Sequence, residues 1–150
     1  KIAFNSFDNA KEVTKTSDII CTVTSSKTPV IFGDWVQNGC HINAIGASIP
    51  IFQEIDEALV LKSKIFTDYK PSLFAQAKEI IESLKSGLID ETQILAEIGE
   101  VLSFTKSGRT HKKDITLYRS MGIAAQDISC AEFVLEKALR MNVGTEVSIL

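Results

Sequence analysis

No glycine-rich G-x-G-x-x-G run occurs in this sequence. The chain by itself therefore lacks the loop that seats a pyrophosphate at a helix N-terminus. No apolar stretch approaches the roughly 20 residues of a membrane-spanning helix, so no membrane partner is expected. Positive charge is not in excess: the net charge is −3, which removes the electrostatic footprint of a nucleic-acid binder. Histidine and cysteine are scarce and unclustered, so a metal site is not expected. Cys21, Cys40 and Cys130 are odd in number, far apart and set among apolar neighbours. Buried thiols in a reducing, cytoplasmic setting are the reading that follows. Internal repeats and low-complexity tracts are also missing.

The 150 residues are 45% hydrophobic and 23% charged, enough for one domain with a sizeable core. The sequence starts on Lys1 and goes directly into KIAF, an apolar opening without a cap, and a preceding segment is expected to be missing. Residues 9–17 read as a short polar helix. IICTVT, 19–24, HINAIG, 41–46, and KIFTD, 64–68, read as three buried strands, β-branched or apolar and bounded by polar residues. GDWVQNG, 33–39, reads as a turn. The spacing of Ile55, Ala58 and Leu59 predicts a helix over 52–63. Pro71 opens a second helix that stops at Gly87, and Asp90 caps a third over 90–101. After ITLYR, a long helix runs from about Ser120 to Asn142. Its seam is Ala124, Ile128, Ala131, Leu135 and Ala138, with Gln126, Glu132, Glu136 and Arg140 opposite. VGTEVSIL, 143–150, reads as a final strand. Strands alternating with helices predict a parallel α/β sheet, and three strands are fewer than a full doubly wound sheet has.

One corner of the pattern carries chemistry. In CHINAIGASIP, 40–50, an uncharged strand ends in Gly46, Ala47 and Ser48. IICTVT ends in the same style, in Thr24, Ser25 and Ser26. In open parallel sheets, ligands bind beyond the carboxyl ends of the strands, and small residues let a flat ring approach the backbone. The corner is either such a ligand seat or an ordinary strand-to-helix turn.

Three segments in order, DIICTVTSSKTPVIFGDWVQNGCHINAIGAS, ILAEIGEV and GRTHKKDITLYRSMGIAAQD, resemble the ornithine cyclodeaminase/mu-crystallin family. The resemblance runs from about Asp18 to the end. It implies a homodimer, each subunit having a Rossmann domain for NAD or NADP and a second domain for dimerisation and a small amino or imino acid substrate. On this pattern residues 1–117 form the second part of the Rossmann domain, a partial parallel sheet with flanking helices. Residues 118–150 are the helix and strand that return to the dimerisation and substrate domain. The family's glycine-rich loop and substrate-binding basic residues would lie upstream, and the isolated chain is expected to be inactive.

The resemblance implies that Thr24, Ser25 and Ser26 pass the cofactor ribose, that Ile45 and Gly46 lie beneath the nicotinamide, and that Ser120, at the start of the long helix, stands near the nicotinamide end. A helix N-terminus at Ser120 would present free N–H groups there, and a plain N-cap role is compatible with that. Ser48 is the candidate catalytic position. The cyclodeaminases resemble G-G-D-x-P here, with an aspartate able to take a proton. Gly46-Ala47-Ser48-Ile49-Pro50 has a neutral hydroxyl instead. That favours an NAD(P)-dependent oxidoreductase of the alanine dehydrogenase or ketimine reductase type. The alternatives are an ornithine cyclodeaminase that forms proline and a non-enzymatic mu-crystallin-like binding protein.

Other polar or aromatic residues have plainer readings. His41 is structural, and His111 lies on a solvated basic face with Arg109, Lys112 and Lys113. Trp35 packs on the sheet, and Asp127 is structural. Glu97 and Glu100 cap or pair locally.

Overall fold

In the computed structural model, which describes residues 2–148, five parallel strands form one sheet. The elements are α1 (Ala10–Thr14), β1 (Ile19–Thr22), β2 (His41–Ala44), α2 (Glu57–Lys62), β3 (Ser63–Thr67), α3 (Lys70–Gln76), α4 (Lys78–Lys85), β4 (Ile94–Glu97), α5 (Ile98–Leu102), β5 (Ile115–Arg119) and α6 (Ala124–Met141). The strand order is β1-β2-β5-β3-β4. The chain steps from β2 past an open slot to β3, then on to β4, and returns to fill the slot with β5. Right-handed crossovers put connections that run in opposite directions on opposite faces. So α2, α3 and α4 cover one face, and α5 lies on the other.

The core sits under α2–α4. Ile20, Ile42, Ala44, Ile65 and Leu117 of the sheet pack with Leu59, Val60, Leu73 and Ile80. Alternation along the strands places Cys21, Asn43 and Tyr118 on the opposite face. There, a cavity of about 520 Å³ is floored by Asn43, Phe66 and Tyr118 and walled by Ile98, Val101 and Leu102.

The parallel α/β reading holds, with two strands more than expected. ITLYR is β5, and β4 lies inside the segment read as one helix over 90–101. Asp90 does cap, its Oδ1 accepting from Thr92 N–H at 2.7 Å, but the structure it caps is a single 3₁₀ turn, Glu91–Gln93. Ile94 and Ala96 then point inward and Leu95 outward. A short apolar run suits either period, and pairing with β3 decides for the strand. The helix expected from Pro71 to Gly87 is two, α3 and α4, broken at Ala77, whose backbone is extended and fully buried. Gly87, at φ +72°, does end α4.

The helix expected over 52–63 starts only at Glu57. Val30 and Ile31 N–H both donate to Glu54 O, at 2.9 and 3.0 Å, and Ile31 bridges Ile55. This pairing keeps 52–55 extended. Asp56 then caps α2 through Oδ1, taking Leu59 N–H at 3.0 Å and Gly33 N–H at 2.7 Å. Residues 143–148 of the expected final strand carry no strand, and residues 149 and 150 lie outside the described residues. Cys40 is buried as expected, but Cys21 and Cys130 are exposed, so two of the three thiols depart from that reading. No helix among the described residues is long and apolar enough to cross a membrane.

Candidate functional site

Three strand ends meet at the carboxyl edge of the sheet. β2 lies between β1 and β5, with Thr22 beside Ala44 and Ala44 beside Arg119. Beyond these pairs, Ile45 N–H donates to Thr22 O at 3.0 Å, and Ser120 N–H to Ala44 O at 3.1 Å. Thr24, Gly46 and Ser120 thus converge from adjacent strands. At Gly46 the approach is so close that a Cβ would lie 2.1 Å from Thr24 O and 2.2 Å from Thr24 N. Only glycine lets the two strand ends pass there. Ile45, on the face opposite α2–α4, is 43% exposed and leaves an apolar platform beside the glycine.

The edge is held from behind by buried charged residues that sequence reasoning did not single out. Glu54 is 1% exposed. Its carboxylate accepts from Thr22 Oγ1 at 2.8 Å, Thr24 N–H at 2.5 Å and Gly46 N–H at 2.8 Å, so it ties the ends of β1 and β2 together. Arg119, also 1% exposed, pairs with Glu79 of α4 at 2.5 Å. Its guanidinium donates to the carbonyls of Ala44, Ala47 and Ser120. That fork fixes the corner carrying Ser48, which is half-buried. Asp68, just after β3, accepts from Ser120 Oγ, Met121 N–H and Gly122 N–H. The available signal was an acidic or basic residue inside an otherwise apolar or uncharged run, as in RSMG or FTDY. Such residues rarely go inside without partners.

The predicted residues separate into groups. Thr24, Ile45, Gly46 and Ser120 lie together, and Ser48 follows two residues after Gly46. Ser25 is exposed. Ser26 builds its own loop: its hydroxyl donates to Thr28 O at 2.6 Å, and its carbonyl accepts from Gln53 N–H at 2.9 Å. Among the described residues no hydrogen bond joins Ser25 or Ser26 to the β2 or β5 ends. Ser120 is not at the start of α6. The N-cap is Ile123 and the helix begins at Ala124, because Asp68 draws 120–122 into a separate corner.

His41 is structural, its Nδ1 2.8 Å from Thr116 Oγ1. Burial pushes its pKa down, a hydrogen bond with Asn43 opposes that, and the charge of Arg109 adds to the lowering. Arg109 is exposed as expected, yet its guanidinium also donates to Gly39 O, Cys40 O and Thr116 Oγ1, pinning the 103–114 connection to the start of β2. His111, Lys112 and Lys113 are exposed as expected. Glu97 and Glu100 form a reciprocal cap on α5. Trp35 packs against Phe32, ring centroids 4.5 Å apart and planes tilted by 49°. Asp127 lies exposed in the first turn of α6. The described residues hold no group of three or more His, Cys, Asp or Glu that could bind a metal.

The model of the ornithine cyclodeaminase/mu-crystallin family matches residues 2–142. The chain belongs to this family. Alanine dehydrogenase of Archaeoglobus fulgidus is 41% identical over 133 residues, covering 87% of this chain and 40% of that protein. Among solved structures, Thermococcus litoralis Delta(1)-pyrroline-2-carboxylate reductase, in complex with NADH and L-proline, matches with a TM-score of 0.84 and 38% identity. The match covers 94% of this chain and 44% of that one. An archaeal alanine dehydrogenase dimer with bound NAD matches with a TM-score of 0.80 and 36% identity, over 97% and 45% of the two chains. This member of the family spans less than half the length of each of these relatives. Its parallel sheet with flanking helices and long C-terminal helix is the part of the fold they share.

Proposed function

We propose that this chain contributes the floor of a nicotinamide cofactor site in an oxidoreductase that acts on a small 2-amino or 2-imino acid. The observation that carries the reading is the crowded strand edge: Gly46, with no space for a Cβ beside Thr24, next to the exposed Ile45 and flanked by Ser120. A cradle without side chains beside an apolar platform fits a flat ring and the sugar next to it. The solved relatives that carry NADH or NAD lend support. Thr24, with Ser25 and Ser26 on the loop beyond it, would pass the ribose. Ile45, Gly46 and Ser120 would hold the ring end. When bound, the cofactor supplies hydride chemistry, and the protein supplies orientation and exclusion of water.

Ser48 stands where a substrate would meet the ring. Its hydroxyl is able to offer a hydrogen bond but is a poor proton acceptor near neutral pH. The buried carboxylates at these strand ends, Glu54 and Asp68, are already occupied by N–H and O–H donors. This favours imine reduction or amino-acid dehydrogenation over deamination with ring closure, the cyclodeaminase alternative. Residues 1–117 are read as the second part of the cofactor domain. Residues 118–150 are read as the segment returning to a dimerisation and substrate domain, in a homodimer. Two exposed unpaired thiols, Cys21 and Cys130, suit a reducing compartment.

The test is cofactor oxidation by the full-length protein with pyruvate plus ammonia and with cyclic 2-imino acids, NADH and NADPH being compared. Turnover with one of these supports the reading. Proline and ammonia from ornithine would move it to the cyclodeaminase. Tight cofactor binding without turnover on either panel would leave the binding-protein alternative.

A further inference from the structure

Asp68 is 4% exposed and surrounded by donors. Oδ2 accepts from Ser120 Oγ at 3.0 Å, Met121 N–H at 2.9 Å and Gly122 N–H at 2.7 Å. Oδ1 accepts from Tyr69 N–H at 2.9 Å and shares the Met121 N–H at 3.0 Å. Backbone N–H groups only donate, so both oxygens must accept, which is the state of an ionised carboxylate. Burial by itself would raise the Asp68 pKa. The hydrogen bonds from Met121, Gly122, Ser120 and Thr67 outweigh it and hold the carboxyl below its ordinary range.

The consequence falls on Ser120. A serine hydroxyl has one proton, and Asp68 takes it. What Ser120 Oγ has left for any ligand is lone pairs. Its position gives this meaning. Asn43 and Tyr118 are register partners on the face opposite α2–α4. Two residues further along each strand, Ile45 and Ser120 fall on that same face. The exposed Ile45 offers a surface for a flat ring, and Ser120, 8% exposed, comes next to it in the strand register, at the inner border of that surface.

We propose that Asp68 is a positioning residue that holds Ser120 Oγ as a hydrogen-bond acceptor, so that the site selects a ring whose edge carries an N–H donor, such as a carboxamide, over one whose edge only accepts. This rests on reading the strand ends as the nicotinamide floor. Asp68 works through Ser120 and the 120–122 backbone.

The test is direct binding, by calorimetry, of three dinucleotides to the full-length protein. These are NAD (or its phosphorylated form, whichever binds), the acetylpyridine analogue, which has a methyl group in place of the amide nitrogen, and the nicotinic acid analogue, which has a carboxylate. The expected order is amide tightest, acetyl about tenfold weaker, and carboxylate weakest. In Ser120→Ala the amide and acetyl forms should bind about equally, and Ser120→Thr should restore the preference. In Asp68→Asn the new amide is able to donate to Ser120 and turn its hydroxyl outward, so the carboxylate form should gain relative to the amide. A carboxylate form that binds the unaltered protein as tightly as the amide overturns the proposal. An unchanged amide-to-acetyl ratio in Ser120→Ala does the same. Ile45→Asp separates the two readings. It should weaken all three ligands together if the β2 end carries the ring, whatever the polarity of Ser120. No effect there removes the floor itself and the proposal with it.

Discussion

Gly46 and Asp68 show how single residues set this edge. A methyl group at Gly46 would overlap the Thr24 backbone, which is itself pinned by Glu54 and has nowhere to move. Gly46→Ala should therefore cost about 2–4 kcal/mol of stability, read from the midpoint of urea unfolding. Asp68 leaves a different signature. Its folded-state pKa lies below the unfolded value of 3.8. Its contribution is thus fully present above that value and is lost as pH falls through the lower, folded one. Thermal stability followed below pH 4 should fall with a component that Asp68→Asn lacks, the variant being less stable at neutral pH and flatter in acid. An acid limb identical in both proteins would show that the carboxylate is not held as the geometry indicates. Neither residue was visible as important from spacing alone. By spacing Gly46 is a small residue in a small corner, singled out further only by the family resemblance, and Asp68 is one more acidic residue at the end of a strand.

Among the elements, long-range pairing decided what local pattern left ambiguous. ILAE suits a helix as well as a strand, and only the open edge of β3 makes it β4. QEI in 53–55 sits on the helical spacing of Ile55, Ala58 and Leu59, yet its backbone is drawn out by Val30 and Ile31. Where a local cap and the tertiary contacts agree, the boundary is sharp. Asp56 serves both the start of α2 and the Gly33 N–H of the 3₁₀ turn. Asp56→Ala removes the one acceptor of both bonds and should cost about 1–2 kcal/mol. It should also raise amide exchange in residues 31–35 and 57–60 ahead of the sheet, as read by hydrogen exchange. Protection lost uniformly across β1–β5 would contradict this placement. The helix limits at Gly87 and the capping of α5 by Glu97 and Glu100 needed no tertiary information, because glycine with φ above zero and a reciprocal side-chain cap are local devices.

At the scale of the whole molecule, the apolar residues left outside the core are as informative as those in it. Ile128, Phe133, Leu135 and Leu139 of α6 are all at least 60% exposed, and Ile2 and Phe4 exceed 80%. β1 is an edge strand that turns Ile19 outward, and Val23 just beyond it is exposed as well. A stable surface rarely exposes so many large apolar side chains. These faces match the proposed division, in which 118–150 packs on a dimerisation and substrate domain. Leu135→Asp combined with Leu139→Asp should lower the unfolding temperature or shift the sedimentation of the full-length protein toward monomer, while isotherms of cofactor binding at the strand edge change less. Unchanged assembly and stability would show that α6 is not buried there.

The α/β class, the β1 and β2 strands, the small corner at Gly46 and the apolar seam of α6 follow from the sequence, since each is written in the local period and residue size of a short segment. The fourth and fifth strands, the break at Ala77, the displacement of Ser120 from the helix start and the roles of Glu54, Asp68 and Arg119 were settled by tertiary structure alone. A strand needs a partner, and a buried charge takes its meaning from the groups that surround it. Apart from sequence neighbours such as Tyr69 for Asp68 and Ser120 for Arg119, those partners lie 8 to 75 residues away along the chain.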